Sequence, residues 1–170
     1  LPVPPIPFRE NNLVFKNSPD LVPGYAFDES DAIWIPTEPG VENRFLMFDL
    51  NRNSFAVVIR CQPGTVIARH YHMGPVLGYT LRGRWKYQEY EWEATPGTCV
   101  YEPPGEAHTL HILGNEVMMA MFHVMGPHIQ LDENDRQVGW VEAFNLLTYS
   151  RDYCAERGID AGYFDKIIRR

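Results

Sequence analysis

The chain has 170 residues, 45% of them hydrophobic, which suits one globular domain with a real core and leaves no need for a second. Its formal net charge is −7 and no cluster of Lys or Arg stands out, so the positive footprint of a nucleic-acid or anionic-membrane binder is missing. Small molecules and further copies of the chain are the expected partners.

In chain order, residues 1–30 hold a dense share of the fourteen prolines. With φ fixed and the amide donor missing, they read as an extended arm that packs on its own domain or on a neighbour. From Ala32 onward, short β-rich runs alternate with turn signals: Ala32–Ile35, Arg44–Phe48, Phe55–Cys61, Thr65–His72, Val76–Leu81, Trp85–Glu89, Gly97–Tyr101, His108–Leu113 and Val117–Val124. Short strands punctuated by QPG, RG, TPG, PPG and LGN predict an all-β sandwich or barrel over residues 31–127. The segment 138–170 changes character. There Val141, Phe144, Leu147 and Tyr153 recur near helical spacing until Gly158, predicting a C-terminal helix. A shorter helix is expected after it, with Asp160 as N-cap and Tyr163, Phe164, Ile167 and Ile168 as its apolar face.

No apolar run is long enough to span a membrane. Cys61, Cys99 and Cys154 are an odd number without C-x-x-C spacing, against a disulfide framework or a zinc ribbon. A reducing cytoplasm is the expected compartment.

The stretch RHYHMGPVLGYTLRG puts His70 and His72 two residues apart in a predicted strand, where both imidazoles project to one face, roughly 7 Å apart at Cα. Two ring nitrogens can converge on one ion, but a metal site needs a third ligand at least. Downstream, GTCVYEPPGEAHTLHI carries Gly97, Pro103, Gly105 and His108, a turn that delivers His108 to the start of a new strand. With Gly64 ahead of His70 and Gly83 after His72, the spacings are G-x5-H-x-H-x10-G and G-x5-P-x-G-x2-H.

Both spacings resemble the two signatures of the cupin superfamily, over roughly residues 55–125. The resemblance implies a double-stranded β-helix, a jelly-roll barrel, in which the histidines of the two signatures meet. It implies metal ligation by His70, His72 and His108. The sequence departs from the signatures at Val76, where a Glu is usual, and at Ile112, where an Asn is usual. The expected site is therefore three neutral imidazoles with no protein carboxylate on the metal. Such a site leaves a dipositive charge uncompensated and favours an anionic, chelating substrate.

Other residues near the signatures have weaker claims. Glu102 shares strand parity with Thr98 and Val100 and is a candidate catalytic residue, as an outer acceptor beside the metal ligands or as an additional ligand, against the plain reading of a solvated Glu at a strand end. His111, three residues past His108, should point to the opposite face. His123 reads as a satisfied core histidine and His128 as a loop residue. Tyr79, Trp85 and Tyr87 are candidate pocket walls, while Arg69 and Arg84 could hold an anion but more often such residues face solvent.

The combination of ARHYHMGPVLGYTLRGRWKY with PGTCVYEPPGEAHTLH is similar to the 2,4′-dihydroxyacetophenone dioxygenase family, and more broadly to the cupin domains of certain anti-sigma factors and acetylacetone-cleaving dioxygenases. The resemblance implies a non-haem Fe(II) enzyme that cleaves an aryl α-hydroxyketone with O₂, giving 4-hydroxybenzoate and formate. A zinc or manganese cupin enzyme that uses no O₂, and a non-catalytic metal- or ligand-binding cupin, stay open. Cupins commonly pair through their sheets, so a homodimer or dimer of dimers is expected.

Overall fold

Ser54–Cys61 and Met118–Met125 alternate buried and half-buried residues almost without interruption, the period-two pattern of strands with one face in a core. They pair antiparallel along their whole length, from Ser54 opposite Met125 to Cys61 opposite Met118. The computed structural model describes residues 24–170; of the proline-rich arm expected over residues 1–30, residues 1–23 lie outside the described residues. After a short 3-10 turn at Glu29–Asp31, eleven strands follow: β1 (Ile35–Glu38), β2 (Val41–Asp49), β3 (Ser54–Cys61), β4 (Val66–His72), β5 (Val76–Arg82), β6 (Arg84–Tyr87), β7 (Cys99–Glu102), β8 (His108–Leu113), β9 (Met118–Met125), β10 (His128–Leu131) and β11 (Gln137–Val141). Then come α1 (Ala143–Glu156), α2 (Gly162–Ile167) and a two-residue strand, β12 (Ile168–Arg169).

The strands form two sheets. The larger runs β1-β2-β3-β9-β5-β7, with β12 joined to β2, and the smaller runs β11-β10-β4-β8-β6. Every pair is antiparallel except β12 on β2. Strands two, four and six apart in sequence are thus neighbours in space within each sheet, the crossing pattern of the double-stranded β-helix expected from the sequence. Its core holds Phe45, Phe48 and Phe55 toward one end and Trp85, Met118 and Phe122 toward the other. The Trp85 indole N–H donates to Thr80 Oγ1 at 2.9 Å, so a wholly buried polar edge is satisfied. At the β5–β6 hairpin, Gly83 has φ +71° and a Cβ there would lie 2.8 Å from Met118 Cα. Only glycine meets both demands.

Several elements differ from the sequence reading. The first strand lies at Ile35–Glu38 rather than Ala32–Ile35; it contains Pro36, which an edge strand tolerates because one row of amides there needs no partner. The barrel continues past residue 127 through β10 and β11, and the start of the segment expected to be helical from residue 138 is extended instead, as part of Gln137–Val141. Helix α1 buries Ala143, Leu146, Leu147, Ser150 and Cys154, leaving Phe144 exposed. Asp160 does not cap α2 as its N-cap residue, which is Ala161, yet its Oδ1 accepts from the Gly162 amide at 2.9 Å. Tyr163, Phe164 and Ile167 are buried as expected, and Ile168 has left the helix to pair with Phe48. All three cysteines are free thiols, and no described helix is long and apolar enough to cross a membrane.

Candidate metal centre

Ile67 and His70 are three residues apart and would face opposite sides of a regular strand. Both line the interior cavity nonetheless, because the register of β4 on β8 shifts between them. The shift sets His70 opposite His108, and His72, two residues on, faces the same way. On the other side of β4, His128 of β10 pairs with His72. Three adjacent strands therefore lay four imidazoles together: the His70 ring centroid is 4.6 Å from that of His108, 4.5 Å from that of His128 and 5.1 Å from that of His72.

Glu102 arrives from the facing sheet, at the end of β7. Its side chain is 4% exposed, with Oε2 at 3.2 Å from His72 Nε2 and 3.5 Å from His108 Nε2. The turn into β8 is fixed beside it, where Gly105, at φ +83°, donates its amide to the His72 carbonyl at 2.8 Å. The absence of a carboxylate at Val76 is as read from the sequence, but the centre as a whole does not lack one. Val76 and Glu102 are direct cross-strand partners on β5 and β7, so the carboxylate comes from the neighbouring strand at the matching position. It sits among the imidazole nitrogens rather than outside them.

These polar atoms are close without being hydrogen-bonded. Glu102 Oε2 and His108 Nε2 are buried with no hydrogen-bond partner, as is Nδ1 on the other side of the His72 ring, a costly state unless something else binds them. Two donors each about 2.1 Å from a shared ion lie roughly 3.0–3.4 Å apart, close to the observed spacings. His70 Nδ1 lies 2.7 Å from the Ala68 carbonyl; donating there fixes the tautomer and leaves Nε2 as the free lone pair. Two triads result, His70–His72–His128 and His72–Glu102–His108, in each of which the donor atoms lie within 4.8 Å of one another. The three histidines picked out by spacing are all present, divided between triads that share His72. The residues fit a divalent metal.

Burial sets the protonation of the centre. Desolvation first, then the neighbouring imidazoles, bring His72 down to about 2, and desolvation first brings His108 and His128 to about 3 and lowers His70. All four are neutral near pH 7, the form that ligates. Desolvation pushes Glu102 up to about 7, against the hydrogen bond that the Tyr87 hydroxyl donates to its Oε1. The Tyr87 ring also stacks on His108, centroids 4.1 Å apart.

The centre opens into a cavity of about 370 Å³, within the usual range for small-ligand sites. Val57, Ile59, Leu110, Phe122 and Val124 form apolar walls, and Asn145, Leu146 and Tyr149 of α1 close one side. Of the other residues singled out, Tyr87 lines the cavity, Trp85 is core and Tyr79 faces outward. His111 is on the outer face of β8, 3.2 Å from Gln88 Oε1, as its parity predicted. His123, expected in the core, lies on the outward face of β9, since its buried neighbours are Phe122 and Val124. Arg69 is tied to Asp135 and Glu89 and Arg84 lies near Glu93, so neither faces the cavity.

His128 is the residue that sequence reasoning missed. Expected in a loop, it opens β10. The local signal is Gly126–Pro127, a turn pair after an apolar strand, with a four-residue run behind it long enough to pair again.

The sequence profile of the ChrR cupin-like domain matches residues 24–127. No curated protein matches the chain at a significant level. Among solved structures, an RmlC-like cupin protein from Ralstonia eutropha JMP134 is 26% identical, with a TM-score of 0.77 over 82% of this chain and 92% of that one. A protein of unknown function with a cupin-like fold from the same organism is 23% identical, TM-score 0.67, over 70% and 75% of the two chains. An acetylacetone dioxygenase from Acinetobacter johnsonii is 16% identical, TM-score 0.69, over 80% and 96%.

Proposed function

The chain belongs to the family of the ChrR cupin-like domain, and from that premise we propose that it is a non-haem Fe(II) dioxygenase cleaving the C–C bond of an aryl α-hydroxyketone. The proposed reaction is 2,4′-dihydroxyacetophenone + O₂ → 4-hydroxybenzoate + formate, with both oxygen atoms retained in the products. One observation carries the reading: a neutral imidazole cluster and one carboxylate, with orphaned donor atoms, stand at the head of a largely apolar cavity. The fold likeness to an acetylacetone dioxygenase supports a ketone as the substrate class.

His70, His72, His108 and His128, with Glu102, are the residues that would hold the metal. When bound, Fe(II) would supply Lewis acidity toward the carbonyl and hydroxyl oxygens and one-electron chemistry toward O₂. Everything else falls to the chain. Buried, neutral imidazoles present lone pairs without a proton to displace. Glu102 adds a carboxylate to the imidazoles and would bring a negative charge to the bound metal. Tyr87 holds that carboxylate through Oε1 and so leaves Oε2 toward the histidines. Because Glu102 already brings one negative charge when ionised, the centre depends less on an anionic substrate than three imidazoles alone would. Val57, Ile59 and Phe122 exclude water from the reacting end.

The test is metal analysis of protein purified without air, followed by oxygen uptake with 2,4′-dihydroxyacetophenone. Iron at one per chain, and O₂ consumed in step with 4-hydroxybenzoate release, is the expected result. A second reading, a zinc or manganese enzyme that uses no O₂, has the carboxylate of Glu102 in its favour, since mixed imidazole and carboxylate donors suit those ions equally. Tight zinc with no O₂ uptake on any aryl hydroxyketone would select it.

A further inference from the structure

On one side of the metal centre a series of rings leads outward. The Tyr87 ring is stacked on His108, and its hydroxyl, donating to Glu102, fixes it against the centre. Trp92 meets Tyr87 edge-on with centroids 5.5 Å apart, and stacks on Tyr90 at 5.3 Å with 25° between the ring planes. The series ends at solvent, because Tyr87 is buried whereas Trp92 is 36% exposed. Packing accounts for the contacts, but indole and phenol also give up an electron far more readily than the aliphatic Val57, Ile59, Leu110 and Val124 that wall the cavity. Electron transfer weakens steeply with distance, and rings in contact keep each step short. An oxidised indole then sheds its N–H proton. Trp85 also touches Tyr87, yet its N–H is bound to Thr80 Oγ1 inside the core, where the proton has no way out. At Trp92, water takes it.

We propose that Trp92, reached through the Tyr87 ring, is an electron relay that protects the imidazoles of the centre when its oxygen chemistry miscarries. When hydrogen peroxide oxidises the centre with no ketone in place, one electron passes from the Trp92 indole through Tyr87 to the centre, and the indole N–H proton goes to water. The centre is reduced by one electron, and a neutral Trp92 radical is left at the surface. A soluble thiolate returns the electron, becoming a thiyl radical, and water returns the proton. The inference rests on reading the centre as an iron site that handles O₂, and it adds how the chain keeps a competing reaction away from its ligands.

The test adds hydrogen peroxide, without air or ketone, to the Fe(II)-loaded protein and reads frozen samples by electron paramagnetic resonance and their peptides by mass spectrometry. Wild-type protein should give a tryptophanyl radical and gain oxygen at Trp92 ahead of Trp140, although Trp140 is 61% exposed. The same peroxide with iron held by a soluble chelator, acting on metal-free protein, should reverse that order, since oxidant arriving from solvent meets the more exposed indole first. Trp92→Phe keeps an aromatic ring at the surface; it should lose the radical at unchanged iron content, while oxygen adducts on His108 and Tyr87 rise. A radical undiminished in Trp92→Phe overturns the relay, as does Trp140 oxidised ahead of Trp92 in the iron-loaded protein, or no radical in the wild-type protein after iron loading, failure to take up iron included. Oxygen uptake with the aryl ketone but no Trp92 radical removes the relay and leaves the dioxygenase reading. A Trp92 radical in protein that takes up no O₂ with any such ketone keeps the relay and removes that reading.

Discussion

Because His72 is shared by both triads of donor groups while His128 and Glu102 each serve one, the loss of metal on substitution should be graded by residue. His72→Ala is expected to lose metal outright on dialysis, whereas His128→Ala and Glu102→Gln should each weaken it about 10–100-fold; equilibrium dialysis against a chromogenic chelator reads the order, and equal losses at all three would refute a shared-ligand role for His72. His108→Ala should abolish O₂ uptake, but with a larger structural cost than a residue at a barrel mouth would carry. Its side chain is 2% exposed and stacked on Tyr87, so removing it leaves a cavity worth about 1–3 kcal/mol, measurable in urea. Acid should act on the metal-free protein through the same rings. Each buried imidazole has a folded pKa below the unfolded value of roughly 6.5, reaching about 2 for His72 and about 3 for His108 and His128. Between those limits the unfolded chain binds protons that the folded one refuses, so the stability present above that unfolded value is lost as pH falls. Glu102, raised to about 7, opposes this between its unfolded value and its folded one, but it is one group against four. The urea midpoint should therefore fall from pH 7 to pH 5, and fall less in His72→Asn; a midpoint that rises on acidification would show that the folded protein carries charged imidazoles.

At the scale of elements, α1 is a wall of the site as much as a C-terminal appendage. It is tied to the barrel by the Tyr149 hydroxyl, which donates to the Pro36 carbonyl at 2.8 Å, and by Asn53 Oδ1, which accepts from the Ala143 amide at 3.0 Å. Tyr149→Phe should leave the fold in place, lower stability by about 0.5–1.5 kcal/mol and speed amide exchange across Ala143–Glu156 without changing it in β3 or β9; uniform exchange along the chain would mean that α1 opens only with the whole domain. The sequence showed those parts of the architecture whose causes are local. Gly83, Gly97 and Gly105 carry positive φ at turns, and turns of known geometry deliver His72 and His108 to predictable strand positions. What stayed hidden depends on pairing between distant segments. Nothing near Glu102 says that β7 lies beside β5 and sets it opposite Val76, and nothing near His128 says that β10 pairs with β4. The same holds for β11, whose Val141 sits in an apolar spacing that a helix shares. Its extended form is decided by the ladder to β10, a tertiary override of a local pattern.

For the whole molecule the open question is how many copies act together. Leu77, Tyr79, Leu81 and Tyr101 are all exposed on the outward face of the larger sheet, Tyr101 at 63%, and Leu77 is the direct cross-strand partner of both Tyr101 and His123. A run of large apolar side chains that touch one another across strands is a patch rather than scattered exposure, and patches of this kind mark interaction surfaces. A second copy is the partner to test first. An isologous two-fold contact brings the same patch to both sides, so Leu77 and Tyr101 would bury one another. With a formal net charge of −7 on each chain, long-range repulsion opposes the approach while apolar burial drives it. Association should therefore tighten as salt rises toward about 0.5 M, because screening removes the repulsion and leaves the burial intact. Sedimentation at micromolar concentration should show a dimer of the 19.6 kDa chain, and Leu77→Glu with Tyr101→Glu, which brings like charges together across the two-fold, should return it to monomer with the metal centre still loaded. A wild-type monomer at every salt concentration would remove the dimer. A dimer that survives both substitutions would move the contact elsewhere, with the exposed Val138 and Trp140 of β11 next to be tested.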